Sequence, residues 1–189
     1  MSAELMVWSE PEPITRDRAR ALYLAAKKDR PGGEPPAYTA DLPGEVTVHG
    51  ERVLVTMELD AMDEASARVF AVARTAGLVC YDPQRDLVHN LAPLGVYPGM
   101  QLHTGDGMIV TDPDLGLVRD VLATLSAQNP FAALVSFGQH FIQVSPGYEL
   151  EYKEGVLRSA MVDDLAEVQR AFLEYAVGER GFLERHAWS

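Results

Sequence analysis

One cysteine, Cys80, is the only thiol in 189 residues. An internal disulfide is therefore excluded, and a Cys-based zinc site cannot be built from it alone; a reducing compartment is the natural setting. Long apolar runs are missing too. Each is broken within about half a dozen residues, far short of the roughly 20 a membrane-crossing helix needs. The opening stretch "MSAELMVWSEPEP" lacks the basic and apolar regions of a signal peptide. A cytoplasmic protein that does not engage the membrane is the expectation. Basic charge is also scarce, with 16 Lys and Arg against 28 Asp and Glu and a net charge of −12. Residues 1–44 hold six basic and seven acidic groups, whereas Glu45 onward holds ten and twenty-one, a balance of −11. Such a field repels phosphate backbones and attracts cationic surfaces, so nucleic acid is not the expected partner. The same charge also serves plain solubility.

The familiar chemical signatures are absent. No GxxxxGKS/T occurs, and no GxGxxG follows a strand, which removes the usual phosphate-cradling loops. No HExxH or paired-His spacing marks a metal site, and no GxSxG elbow marks a serine nucleophile. Neither metal nor other cofactor is expected. The five histidines, His49, His89, His103, His140 and His186, are scattered over separate elements.

What is present is the patterning of a folded domain. "AELMVWS" reads as a strand. Thr15 then caps a helix whose apolar stripe is Ala19, Leu22, Tyr23 and Ala26, with Ile14 placed to staple it. Residues 29–45 are rich in Pro and Gly and form an irregular connection. Glu45–Leu59 reads as a hairpin turning at His49-Gly50-Glu51. A helix capped by Asp60 or Asp63 follows, buried through Val69, Val72, Ala73 and Ala76 and ended by Gly77. "LVCY", the turn "DPQRD" and "LVHNL" form a second hairpin.

The later residues repeat this order. Gly107–Thr111 reads as a strand. A helix follows with Asp112 as cap, Pro113 at its first position, and Leu115, Val118, Leu122 and Leu125 as stripe. "FAALVSF", "HFIQVS" and "YELEYKE" read as three strands. The last helix starts at Asp163-Asp164, where Asp164 and Glu167 match an acidic capping box, and Trp188 anchors the segment beyond it. The fold class is α+β, with antiparallel sheets and helices packed on one face of each. Strand–helix–strand–strand recurs in 1–100 and 101–189, which suggests two degenerate half-units able to form one compact domain.

Three groups could carry chemistry. Cys80 and His89 could be a nucleophile and its base, but each sits mid-strand, so a buried, inert thiol is the preferred reading. His103 and Asp106 in "LHTGDG" could form an acid/base pair of a small hydrolase. The carboxylates Glu149, Glu151 and Glu154, and Asp163, Asp164 and Glu167 on the last helix, read as solvated faces or a protein-binding surface, with Tyr148, Tyr152 and Trp188 as candidate anchors.

Two stretches carry a resemblance. A helix ending in Gly before an apolar strand and "YDPQ" (Tyr81–Gln84) looks like a group of small bacterial proteins. "FIQV…GYELEYKEG" followed by "LAEVQRAFLEYAVG" and a Trp resembles immunity proteins of bacterial toxin–immunity systems. The likeness covers Val69–Leu91 and Phe131–Trp188. It implies a cytosolic, acidic, cofactor-free and catalytically inert protein that neutralises a cognate toxin through that toxin's basic face. It transfers no site residue. A small-molecule sensor module and the His103/Asp106 hydrolase are the alternatives.

Overall fold

The computed structural model describes residues 1–91 and 97–189. Residues 92–96, inside the N-terminal half as read from sequence, lie outside the described residues. Two units, Met1–Leu91 and Ala92–Ser189, each build their own antiparallel sheet.

The first unit runs β1 (Ser2–Trp8), α1 (Arg16–Ala26), β2 (Glu45–His49), β3 (Arg52–Glu58), α2 (Met62–Thr75), β4 (Val79–Asp82) and β5 (Leu87–His89). Its strand order is β2-β3-β1-β4-β5. β1 is central, and Ala3, Leu5, Met6, Val7 and Trp8 are all buried, so it reads as a near-continuous apolar run because both of its faces are covered. Met6, Trp8, Leu54, Val79, Tyr81 and Val88 pack with Ala19, Leu22 and Ala26 of α1. The next residue on β5, His89, alternates to the other face and stacks on Phe70 of α2. The α+β class holds, but helices flank both faces of this sheet rather than one.

Caps follow the sequence only in part. Thr15 accepts the Arg18 N–H as expected. Neither Asp60 nor Asp63 caps α2: a 3₁₀ turn at Leu59–Ala61 leads into it and Ala61 is its N-cap, with Asp63 and Glu64 in the first turn, where carboxylates suit the helix dipole.

The second unit runs β6 (Gln101–Thr104), β7 (Ile109–Thr111), α3 (Leu115–Leu122), β8 (Ala132–Ser136), β9 (His140–Ser145), β10 (Glu149–Glu154), β11 (Val156–Met161), α4 (Leu165–Ala176) and α5 (Phe182–Arg185). Its strand order is β11-β10-β9-β8-β6-β7. The register aligns Leu102, Leu134, Ile142 and Tyr152 in one row and Ala132, Val144, Leu150 and Ala160 in the next, which makes one buried face. Tyr175 of α4 seals it with a buried hydrogen bond of 2.8 Å to Ser136. α3 packs against α4, and its buried side chains are Leu117, Val118, Val121 and Leu122.

Asp114, not Asp112, caps α3, accepting the Leu117 N–H at 3.0 Å. Asp112 sits at φ +51° and binds the Gly99 N–H instead. Of the expected stripe, Val118 and Leu122 are buried, Leu115 is exposed and Leu125 falls beyond the helix end. β6 and β11 are strands the sequence pattern did not signal.

The repeated order extends to the sheets. β3-β1-β4-β5 and β7-β6-β8-β9 are the same arrangement, each with a helix between the outer strand and the third. The first unit adds α1 and β2, and the second adds β10, β11, α4 and α5.

Candidate protein-binding surface

The hairpin of β4 and β5 sets Cys80 directly opposite His89, with Val7 on the other side of Cys80. Cys80 is 1% exposed and His89 5%. His89 stacks on Phe70 with ring centroids 3.9 Å apart. Burial pushes the Cys80 thiol well up, and the Asp82 charge adds to it. Burial, followed by the charges of Arg74 and Arg85, pulls His89 down to about 3. A neutral thiol therefore faces a neutral imidazole, the reverse of what an activated nucleophile requires. Neither ring nitrogen of His89 has a hydrogen-bond partner among the described residues.

His103 and Asp106 do not lie on a common loop. His103 is on β6, its Nε2 2.8 Å from Gln101 Oε1 on the same face, and burial lowers its pKa. The neighbouring Thr104 points to the opposite, buried face and donates its hydroxyl to Asp106. The Asp106 amide donates to Asn129 Oδ1 at 3.2 Å.

"YDPQRD" proves to be a turn built from side-chain hydrogen bonds. Asp82 is fully buried and accepts from the amides of Gln84 and Arg85, from the Gln84 carboxamide, and from Arg85 Nη1 at 2.8 Å. Pro83 has no N–H with which to continue the ladder to β1. The Gln84 carboxamide replaces it, accepting from the Glu4 N–H at 2.8 Å and donating to the Glu4 C=O at 2.7 Å. Asp86, at φ +54°, binds the Tyr81 hydroxyl at 2.6 Å and the Arg20 guanidinium. Glu4 binds Tyr23 and Lys27 at 2.7 Å each. Every group in this cluster is occupied by another, so it braces the first unit.

The acidic residues of the second unit separate by face. Glu149 and Glu151 lie half-exposed on the outer face of β10. Tyr152 is a correction to its reading as a surface anchor. It alternates to the inner face and is 5% exposed, among the rings of Tyr175, Phe182 and Trp188. Burial lifts its hydroxyl to about 12, aided by the hydrogen bond to Glu154. Trp188 is half-buried, its Nε1 donating to the Phe182 carbonyl at 3.0 Å. Burial pushes the Glu154 carboxyl up, but hydrogen bonds from Arg180 and Tyr152 outweigh it and hold it below its usual value. Asp164 is the N-cap of α4, bound to the Glu167 N–H at 2.9 Å. Glu167 lies 3.5 Å from Arg185 and 3.4 Å from His186. Asp163 is exposed. Tyr148 is half-buried, at φ +59° in the turn before β10.

β11 completes the surface. Leu157 is 53% exposed and Met161 63%, and both share the outer face with Glu149 and Glu151 of β10, Met161 directly opposite Glu149. Leu157 stands opposite Lys153, and Ser159, opposite Glu151, separates it from Met161, so the face carries two exposed apolar side chains among Lys153, Glu149 and Glu151, with Asp163 just past its end. Interfaces combine apolar side chains with a polar rim, and this face has both. Elsewhere in the unit, Leu115, Ala166, Leu173 and Val177 floor an open groove of about 420 Å³ between α3 and α4, bordered by Arg119, Arg170, Glu174 and Glu179. Among the described residues no cluster of three or more His, Cys, Asp or Glu is arranged to hold a metal, and no helix is long and apolar enough to cross a membrane. The chain matches no protein-family model, no curated protein and no solved structure.

Proposed function

We propose that this chain is a non-enzymatic, cytoplasmic binding protein of the immunity type, which neutralises a cognate bacterial toxin by covering a basic face of it. The observation that carries the reading is the outer face of the β10–β11 hairpin, where exposed Met161 lies beside Glu149 and exposed Leu157 beside Lys153, with Glu151 between them and Asp163 past the strand end. The net charge of −12 favours a cationic partner and speeds its approach, while the two apolar side chains slow its departure. The buried, uncharged Cys80–His89 pair supports a binding role over thiol chemistry.

Co-expression is the direct test. A toxin that arrests growth should be tolerated when the intact chain is present. It should no longer be tolerated with Leu157→Glu and Met161→Glu combined, provided the variant accumulates to the same level. Equal rescue by both proteins would move the binding site off this hairpin, and no rescue by either would remove that toxin as the partner.

A further inference from the structure

β11 is the outermost strand of its sheet, and one side of its backbone faces away from β10. Which residues face outward is fixed by Ser159. Its N–H donates to the Ser189 carbonyl at 3.1 Å and its carbonyl accepts the Ser189 N–H at 2.9 Å. Exchange of both bonds between two residues is the hydrogen-bonded pair of an antiparallel ladder. By alternation Leu157 and Met161 also direct their backbone groups outward, while Val156, Arg158 and Ala160 direct theirs to β10. The Val162 N–H, which donates to the Tyr148 carbonyl, agrees with this phase.

The outward residues are symmetric about Ser159. A second β11, related by a two-fold axis through that residue, pairs Ser159 with Ser159 of the second copy and Leu157 with Met161 of the second copy. Both pairs lie on the outer face. On the inner face Arg158 meets Ala160 of the second copy, and Val156 meets Val162. Three strongly exposed apolar side chains, Val156 (70%), Leu157 and Met161, thereby gain apolar cross-strand neighbours. No like charges stand directly opposite within the strands, although the two Arg158 side chains are diagonal neighbours. Self-complementarity about a two-fold is the property of an isologous interface.

We propose that β11 is a docking strand for a second copy of this chain, and that the Ala187–Ser189 segment guards it. In the structure this segment occupies the central position. Trp188 holds it there through the Phe182 carbonyl and ring contacts with Tyr152 at 6.3 Å and Phe182 at 6.0 Å. A long apolar edge invites pairing with other chains, and a covering segment suppresses it. Dimerisation therefore requires the segment to lift. The proposal does not depend on the toxin-binding reading. Salt separates the two: screening of two acidic chains strengthens self-pairing, whereas it weakens attachment to a basic partner.

The test is the mass of the full-length chain by light scattering over a concentration series, for the wild type, Trp188→Ala and Ser189→Pro. Ser189→Pro removes one of the two guarding bonds and leaves the ring cluster intact, so it decides the matter if Trp188→Ala does not fold. It should tighten self-association about tenfold, the equivalent of one net hydrogen bond no longer competing. Adding Leu157→Lys should restore the monomer. In the Ser189→Pro background, Ser159→Cys should form a linked dimer under oxidation, because a hydrogen-bonded pair sets its Cα atoms about 5.5 Å apart, within disulfide reach. Folded, monomeric Ser189→Pro at every concentration would overturn the proposal, as would a dimer that Leu157→Lys leaves unchanged.

Discussion

His89 gives the sharpest test of the first unit's core. Its pKa is about 3 in the folded state, against an ordinary value of 6.5. Between those values the unfolded chain binds a proton that the folded chain refuses. Its stability contribution is therefore complete above about pH 6.5 and declines as the pH falls towards 3. At 1.36 kcal/mol per unit the loss is about 2 kcal/mol at pH 5 and about 3 kcal/mol at pH 4. The perturbation is His89→Leu, which keeps an apolar body against Phe70 and removes the titrating ring. Urea titrations from pH 7 to pH 4 can be read by pulsed labelling of Cys80 with a pyridyl disulfide, which reports on the sheet holding both residues. The wild type should lose stability relative to the variant by the amounts above, the other four histidines and the carboxylates being common to both chains. Parallel curves would refute the reasoning, because they would mean that the folded state accepts the proton without penalty.

Other outcomes follow from named contacts. Native Cys80 should be labelled only as fast as the unit opens, and labelling at the rate of a free thiol would show that the thiol is accessible. Asp82→Ala should cost about 3–5 kcal/mol by urea titration, because it strips the buried partner from Arg85 and unties the turn. Gln84→Ala should cost about 1–2 kcal/mol, since both polar groups of the Glu4 backbone lose their partner. Tyr175→Phe should cost about 1 kcal/mol, leaving the buried Ser136 hydroxyl unpaired. Leu157→Glu should change stability by no more than about 0.5 kcal/mol, as expected for an exposed position, and a larger loss would assign that residue to the core.

The α+β class, the four longer helices and the hairpin at Cys80 were legible because each rests on local signals: a 3.6-residue stripe, Gly77 after a helix, Pro83 in a turn; the short α5 was not read. Thr15 and Asp164 were read correctly as caps for the same reason. Asp112 was misread because Asp112 and Asp114 flank one proline, and the choice depends on Gly99, thirteen residues away. β6 stayed hidden because "QLHT" alternates too briefly beside two glycines. β11 stayed hidden because Leu157 and Met161 are apolar on a solvent-facing side and so break the in–out rule. That same break is what marks the strand as a surface of interest. Tyr152 was legible by alternation, which puts it on the face opposite Glu149 and Glu151; reading it with them as one surface overlooked that period of two. The pairing of Gln84 with Glu4 spans eighty residues and has no sequence signal at all.

The central claim is that the β10–β11 face carrying Leu157, Met161, Glu149 and Glu151 binds a basic protein. The measurement that tests it most directly is affinity capture from source cells with tagged wild type and with the Leu157→Glu/Met161→Glu chain, at low and high salt. The account predicts one stoichiometric basic protein on the wild type, recovered less at high salt and lost from the variant. Equal recovery on both chains, or a partner held independently of salt, would contradict it.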